Sequence, residues 1–139
     1  MRLRDCYKEG LLRKTKPSKQ YALKSLETSL KHIENAKDNL EMKNNNLVLF
    51  CAYTSMFHSA RALLFKDGVK ERSHICIVSY LREKYSELRR LSNQLDAYRR
   101  NRHNTLYSLD FLISKNEAKQ AIDDSEQFYK QIKTIIDDE

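Results

Sequence analysis

The sequence predicts an all-α fold, an antiparallel up-and-down bundle of four to five helices, and three observations carry that prediction. Breakers of regular structure are nearly absent, with two glycines and one proline in 139 residues. Apolar residues recur three and four apart through most of the chain, the spacing of one helical face. The residues between them are rich in Leu, Lys, Glu, Ala and Arg, which lose little conformational freedom in a helix. A chain of this length fits a single domain, 1–139, that buries roughly two-thirds of the surface its unfolded form exposes, so its core needs no staple.

Residues 1–16 read as a short basic amphipathic segment carrying Leu3, Leu11 and Leu12, with Gly10 and Pro17 as its breaks. Ser18 is an N-cap, and Leu23, Leu26, Leu30, Ile33 and Leu40 mark a long amphipathic helix to about Lys43. Asn44, Asn45 and Asn46 form a turn, because Asn tolerates left-handed backbone. Leu47 to Lys66 is apolar on nearly every side, so it belongs at the centre of the bundle, with Phe57 in the core. Asp67-Gly68 stops that helix, and Ser73 caps another from Ile75 to about Tyr85. A further helix spans about Ser86 to Tyr107. The last one opens on the capping box Ser114-Lys115-Asn116-Glu117 and runs to Asp137, with Ala118, Ala121, Ile122, Phe128, Ile132 and Ile136 on its apolar face.

The net charge of +7 is divided unevenly. Arg2 to Lys24 and Arg82 to Arg102 are strongly basic, whereas Asp110 to Glu139 is acidic. Such asymmetry suits a polyanion such as RNA; equally, it describes a solvated face. Cys6, Cys51 and Cys76 are odd in number and lack metal or disulfide spacing, which points to a reducing, cytoplasmic setting. No apolar run follows Met1, and Thr54, His58 and Arg61 interrupt the longest apolar stretch, so neither export nor membrane spanning is expected. There is no HExxH, no GxGxxG and no Walker loop, and hence no expectation of a metal, cofactor or autonomous NTP site.

One residue is out of place. Leu88, Leu91, Leu95, Tyr98, Arg102, Thr105 and Leu109 form one helical stripe, and Arg102 lies in it although its guanidinium cannot shed its charge. Either it pairs with a buried acid or helix carbonyls, or it faces a phosphate. Arg99, His103 and Tyr107 stack four apart on a neighbouring face, and with Arg100 and Asn101 they gather the groups phosphodiester chemistry uses. Arg neutralises phosphate oxygens, and His or Tyr moves a proton or positions a ribose 2′-hydroxyl. His74 caps or bridges elements. His58 reads as a hydrogen-bonded core histidine.

At this cluster the chain resembles the HEPN superfamily. Glu9 to Pro17 is similar to the lead-in of one prokaryotic branch, Ala52 to Phe65 to its central helix, Ser73-His74 to the histidine that follows, and Arg99 to Tyr107 to its Arg-polar-x-x-x-Tyr signature. The resemblance implies a bundle that dimerises, placing two arginine signatures around a shared groove. Many such domains are metal-independent ribonucleases, often toxins paired with a minimal nucleotidyltransferase antitoxin. It assigns catalysis to Arg102, Tyr107 and His103, and binding to Arg99, Arg100, Asn101 and His74. The chain departs from the active pattern at Tyr107, where a histidine is usual; a non-catalytic module binding RNA, a nucleotide or a nucleotidyltransferase is the alternative.

Overall fold

A computed structural model of the chain describes residues 1–107 and 112–138, without the side chains of residues 103 and 105–107. The elements run α1 (Leu3–Lys8), β1 (Leu12–Lys14), α2 (Lys19–Glu41), α3 (Asn45–Asp67), β2 (Val69–Glu71), α4 (His74–Lys84), a 3₁₀ turn (Ser86–Leu88), α5 (Arg89–Tyr107) and α6 (Lys115–Asp137). The fold is the expected all-α bundle: α3 runs through its middle and packs against α2, α5 and α6.

The helix ends follow local chemistry. The hydroxyls of Ser18, Ser73 and Ser114 accept the backbone N–H groups of Tyr21, Cys76 and Glu117, and Glu117 completes a capping box. Gly68 ends α3 in the left-handed region at φ 79°, where a side chain would be strained. The turn between α2 and α3 is shorter than the asparagine run suggests. Lys43, at φ 63°, makes the reversal, and Asn45 and Asn46 instead clasp Ile113 by its carbonyl and N–H.

The buried face of α2 keeps Leu26 and Ile33 of the expected stripe but not Leu23 and Leu30. Leu23 and Leu30 are 43% and 42% exposed, while Ala22, Ser25, Leu26, Ser29, Ile33 and Ala36 are buried. Small side chains let α2 lie close against α3, and the hydroxyls they bring are satisfied across the seam. Ser29 Oγ lies 2.7 Å from Ser59 Oγ and 2.8 Å from Ser55 Oγ, and Ser25 Oγ donates to the His58 carbonyl. On the other side α6 buries Phe128, Ile132 and Ile136 completely. Tyr98 of α5 donates to Asp124 of α6 at 2.6 Å.

The N-terminal segment departs from expectation twice. It is a short helix followed by a strand, β1, paired antiparallel with β2 in the register Arg13↔Lys70. Left-handed Gly10 ends the α1 region and Gly68 re-aims the chain after α3, so two segments far apart in sequence meet edge to edge. Cys6 and Cys76, 70 residues apart, form a disulfide between α1 and α4. Sequence spacing carries no trace of that pairing, because the docking of α1 creates it, and the disulfide removes cysteine usage as an argument for a reducing compartment. α3 is long and apolar enough to cross a membrane by length and composition, but 67% of its apolar window is buried inside the bundle.

Phe57, expected in the core, is only half-buried and stacks on the His74 ring at 4.1 Å. Ile132→Ala is therefore expected to cost about 2–5 kcal/mol in urea unfolding, and Phe57→Ala only about 1–2 kcal/mol, part of a full burial. Equal losses would contradict this packing.

Candidate functional site

The predicted arginines sit where the C-terminal half of α5 crosses the N-terminal half of α3. Burial of the Leu88, Leu91 and Leu95 face sets the roll of α5. Two turns further along, the same stripe presents Arg102, half-buried, to α3. Its guanidinium carbon lies 5.6 Å from the Phe50 ring centroid and 5.7 Å from that of Tyr53. Among the described residues it makes no ion pair or hydrogen bond. Aromatic faces, rather than an acid or helix carbonyls, support the charge, and a planar cation so placed keeps its N–H donors available to an anion.

Arg99 is held differently. Its Nε and terminal nitrogen both lie 3.0 Å from Asp96 Oδ1. Asp96 Oδ2 is 3.8 Å from both Arg82 and Arg100, so one carboxylate anchors three guanidinium groups. Arg82 also donates to the Asn93 side-chain oxygen. Arg100 is 65% exposed at the side chain, and Asn101 is exposed as well. The His103 and Tyr107 side chains lie outside the described residues, as does Leu109. Of the residues singled out in the sequence, Arg102, Arg99 and His74 therefore come together, while Arg100 and Asn101 face solvent.

His74 reaches the site from the first turn of α4. Its Nδ1 is 2.5 Å from the Tyr53 hydroxyl, and its ring stacks on Phe57. Burial pushes the Tyr53 phenol up to about 12, against a smaller downward pull from Arg102 and Arg99, so the phenol stays protonated. Burial first, then the nearby Arg102 and Arg99, lowers the His74 pKa. The hydrogen bond engages Nδ1, with the donor set by the imidazole tautomer, and leaves Nε2 as the ring nitrogen not engaged by Tyr53. A neutral imidazole thus stands beside a guanidinium on an aromatic floor. Sequence reading passed over Tyr53, yet a phenol in a helix apolar all round must find a hydrogen-bond partner, and that requirement is the signal that points to it.

Across the α2–α3 seam, His58 stacks on His32 with ring centroids 5.3 Å apart. Burial, then the neighbouring His32, Arg61 and His74, holds His58 down at about 4, and burial lowers His32 too. Among the described residues no three His, Cys, Asp or Glu side chains are placed to hold a metal ion.

A family model described as the HEPN domain matches residues 22–135, from the first turn of α2 almost to the end of α6. No curated protein matches the chain.

The histidine pair makes stability pH-dependent. The unfolded chain binds a proton at His58 near pH 6.5 and the folded chain does so only near pH 4, so the contribution is complete above about 6.5 and is lost as pH falls towards 4. Thermal melts across pH 4–7.5 are expected to show Tm falling over that window, with a shallower fall in His58→Gln. Parallel curves for the two proteins would mean that His58 is not the titrating group.

Proposed function

The chain belongs to the HEPN domain family, and from that premise we propose that it is an RNA-directed protein of a toxin–antitoxin type system, a homodimeric metal-independent endoribonuclease. Residues 1–139 act as one domain in this reading, and Arg102 of each copy faces a shared groove and holds the scissile phosphate. The supporting observation is Arg102 itself: a permanent cation, half-buried on the rings of Phe50 and Tyr53, with no carboxylate on it among the described residues. A fixed guanidinium of this kind grips phosphate oxygens through two parallel N–H donors and stabilises charge that builds on them in the transition state.

The step is a transesterification. The ribose 2′-hydroxyl gives its proton to a neighbouring base, its oxygen bonds to phosphorus, and the P–O5′ bond breaks with a proton delivered to the leaving oxygen. The products are a 2′,3′-cyclic phosphate and a 5′-hydroxyl. His103 and Tyr107 orient the 2′-hydroxyl, and His74 beside Arg102 is the base. In the tautomer whose Nδ1–H donates to the Tyr53 oxygen, its free Nε2 takes the 2′-hydroxyl proton, and the resulting imidazolium delivers that proton to the leaving 5′-oxygen. Arg99 and Arg100 extend the cationic surface along the strand, and the Asn101 amide adds a neutral hydrogen-bonding group.

A second reading rests on Tyr107, which stands where active relatives of this pattern carry histidine. In that reading the same groove binds RNA or a nucleotide without cutting it, and the domain partners a minimal nucleotidyltransferase.

Purified protein incubated with RNA in EDTA is expected to yield fragments ending in 2′,3′-cyclic phosphate, and light scattering at micromolar concentration to give a dimer. Arg102→Lys retains charge but not the planar fork, so cleavage should fall about tenfold or more. Stability should change by only about 1–2 kcal/mol, because aromatic contacts rather than a buried ion pair are lost. Uncut RNA with Arg102-dependent binding selects the non-catalytic reading. A stable Arg102→Lys dimer that binds and cleaves like the parent removes Arg102 from the mechanism.

A further inference from the structure

At the opposite end of α3 from Arg102, a groove of about 430 Å³ lies between the Thr15–Ser18 segment and Phe65. Tyr21 and Phe65 form its floor, ring centroids 5.7 Å apart, and Tyr21 is 55% exposed, an unusual display for so large a ring. Lys16 and Lys70 line it and are both exposed, with no ion pair among the described residues. Arg61 lies 5.1 Å over the Phe65 ring and forms the ion pair with Glu71, the acid of β2, whose carboxylate also feels the charge of Lys70.

The groove is pre-formed. The Thr15 N–H donates to the Gly68 carbonyl at 2.8 Å and the Ser18 N–H to the Phe65 carbonyl at 2.9 Å, lacing the segment onto the end of α3. Pro17 packs so closely on Gly68 that a Cβ there would fall 2.9 Å from its ring carbons. An exposed aromatic ring held on such a support loses little freedom when a flat ligand stacks on it.

Between the groove and Arg102, α3 leaves one face partly exposed. Phe50, Phe57, Arg61 and Phe65 share the one half-exposed face of α3. They place three aromatic rings and one guanidinium, Arg61, along about 22 Å of helix. Aromatic rings with cations at either end of the row suit unpaired bases, because every base has a stacking face and every linkage a charge.

We infer that this groove is a second binding site, for single-stranded RNA: a base stacks on Tyr21, Lys16 and Lys70 hold the flanking phosphates, and the strand is led along α3 to Arg102. The inference rests on Arg102 as the phosphate-holding residue. It excludes duplex RNA, whose bases are already stacked on each other.

The test is fluorescence anisotropy of a labelled ten-nucleotide 2′-O-methyl uridine strand, which cannot be cut, against the whole chain. Tyr21→Ala should weaken binding about tenfold, the scale of one lost stacked base, and Tyr21→Phe should leave it unchanged. Lys16→Ala with Lys70→Ala should reduce the slope of log affinity on log salt by roughly 1.4. Loss with Arg102→Ala alone would overturn this site while leaving the catalytic groove standing; loss with Tyr21→Ala alone would do the reverse. Absence of binding by the parent would overturn both. Competition by polyglutamate as effective as by RNA would make the groove a surface for an acidic protein, and dissociation of the dimer by Tyr21→Ala would make it a contact between copies. Either result also overturns the inference.

Discussion

Enclosure of α3 is the constraint on which the other elements depend. A helix of 23 residues with apolar side chains around most of its circumference has to be covered by other parts of the chain, and three helices do most of the covering. α2 lies closest because it meets α3 with alanines and serines, and Ser29 closes the seam by hydrogen bonds rather than bulk. α6 covers the next flank with large apolar side chains, Phe128, Ile132 and Ile136, and α5 the next with Leu91 and Leu95. Phe50, Thr54, Phe57, His58, Arg61 and Phe65 lie on the remaining strip, each half-buried.

That strip is where the chemistry collects. Aromatic rings left half-covered are good supports for guanidinium groups, and Arg102 rests on Phe50 and Tyr53 near one end as Arg61 rests on Phe65 near the other. The acids are placed so that they organise some cations and spare others. Asp96 gathers Arg82, Arg99 and Arg100, and Glu71 holds Arg61. Among the described residues no acid takes the donors of Arg102, and desolvation together with the same positive surroundings lowers the pKa of His74 next to it. The acidic α6 lies on another flank, where Asp124 takes the Tyr98 hydroxyl and Glu126 reaches Lys37.

The N-terminal segment binds the end of α3 to the rest. β1 pairs with β2 directly after the Gly68 cap, the disulfide fastens α1 to α4, and the Leu3 N–H donates to Glu83. Because α4 carries His74 in its first turn, the same fastening fixes the position of the imidazole against Tyr53. Asp67, the last residue of α3, accepts hydroxyls from Tyr80 and Tyr85, adding a second clasp between the end of α3 and the α4 region.

The sequence by itself determined the five longer helices, their serine and glycine caps and the central place of α3. Those features are written in contacts one turn apart: the serine caps, the capping box at Ser114 and Glu117, the left-handed Gly68 and the three-four spacing of apolar residues. It also located Arg102 as a charge in an apolar stripe, since that mismatch needs only the helical period to be seen. Tertiary structure decided which faces meet. Hydrophobicity favoured Leu23 and Leu30 of α2, but close approach to α3 selected Ala22, Ser25 and Ser29. Pairing of Cys6 with Cys76, of Arg13 with Lys70, and of Tyr53 with His74 joins groups whose separation in sequence has no period. These contacts exist only because α3 is wrapped on all but one side, and packing of whole elements, not local propensity, determines which side stays open.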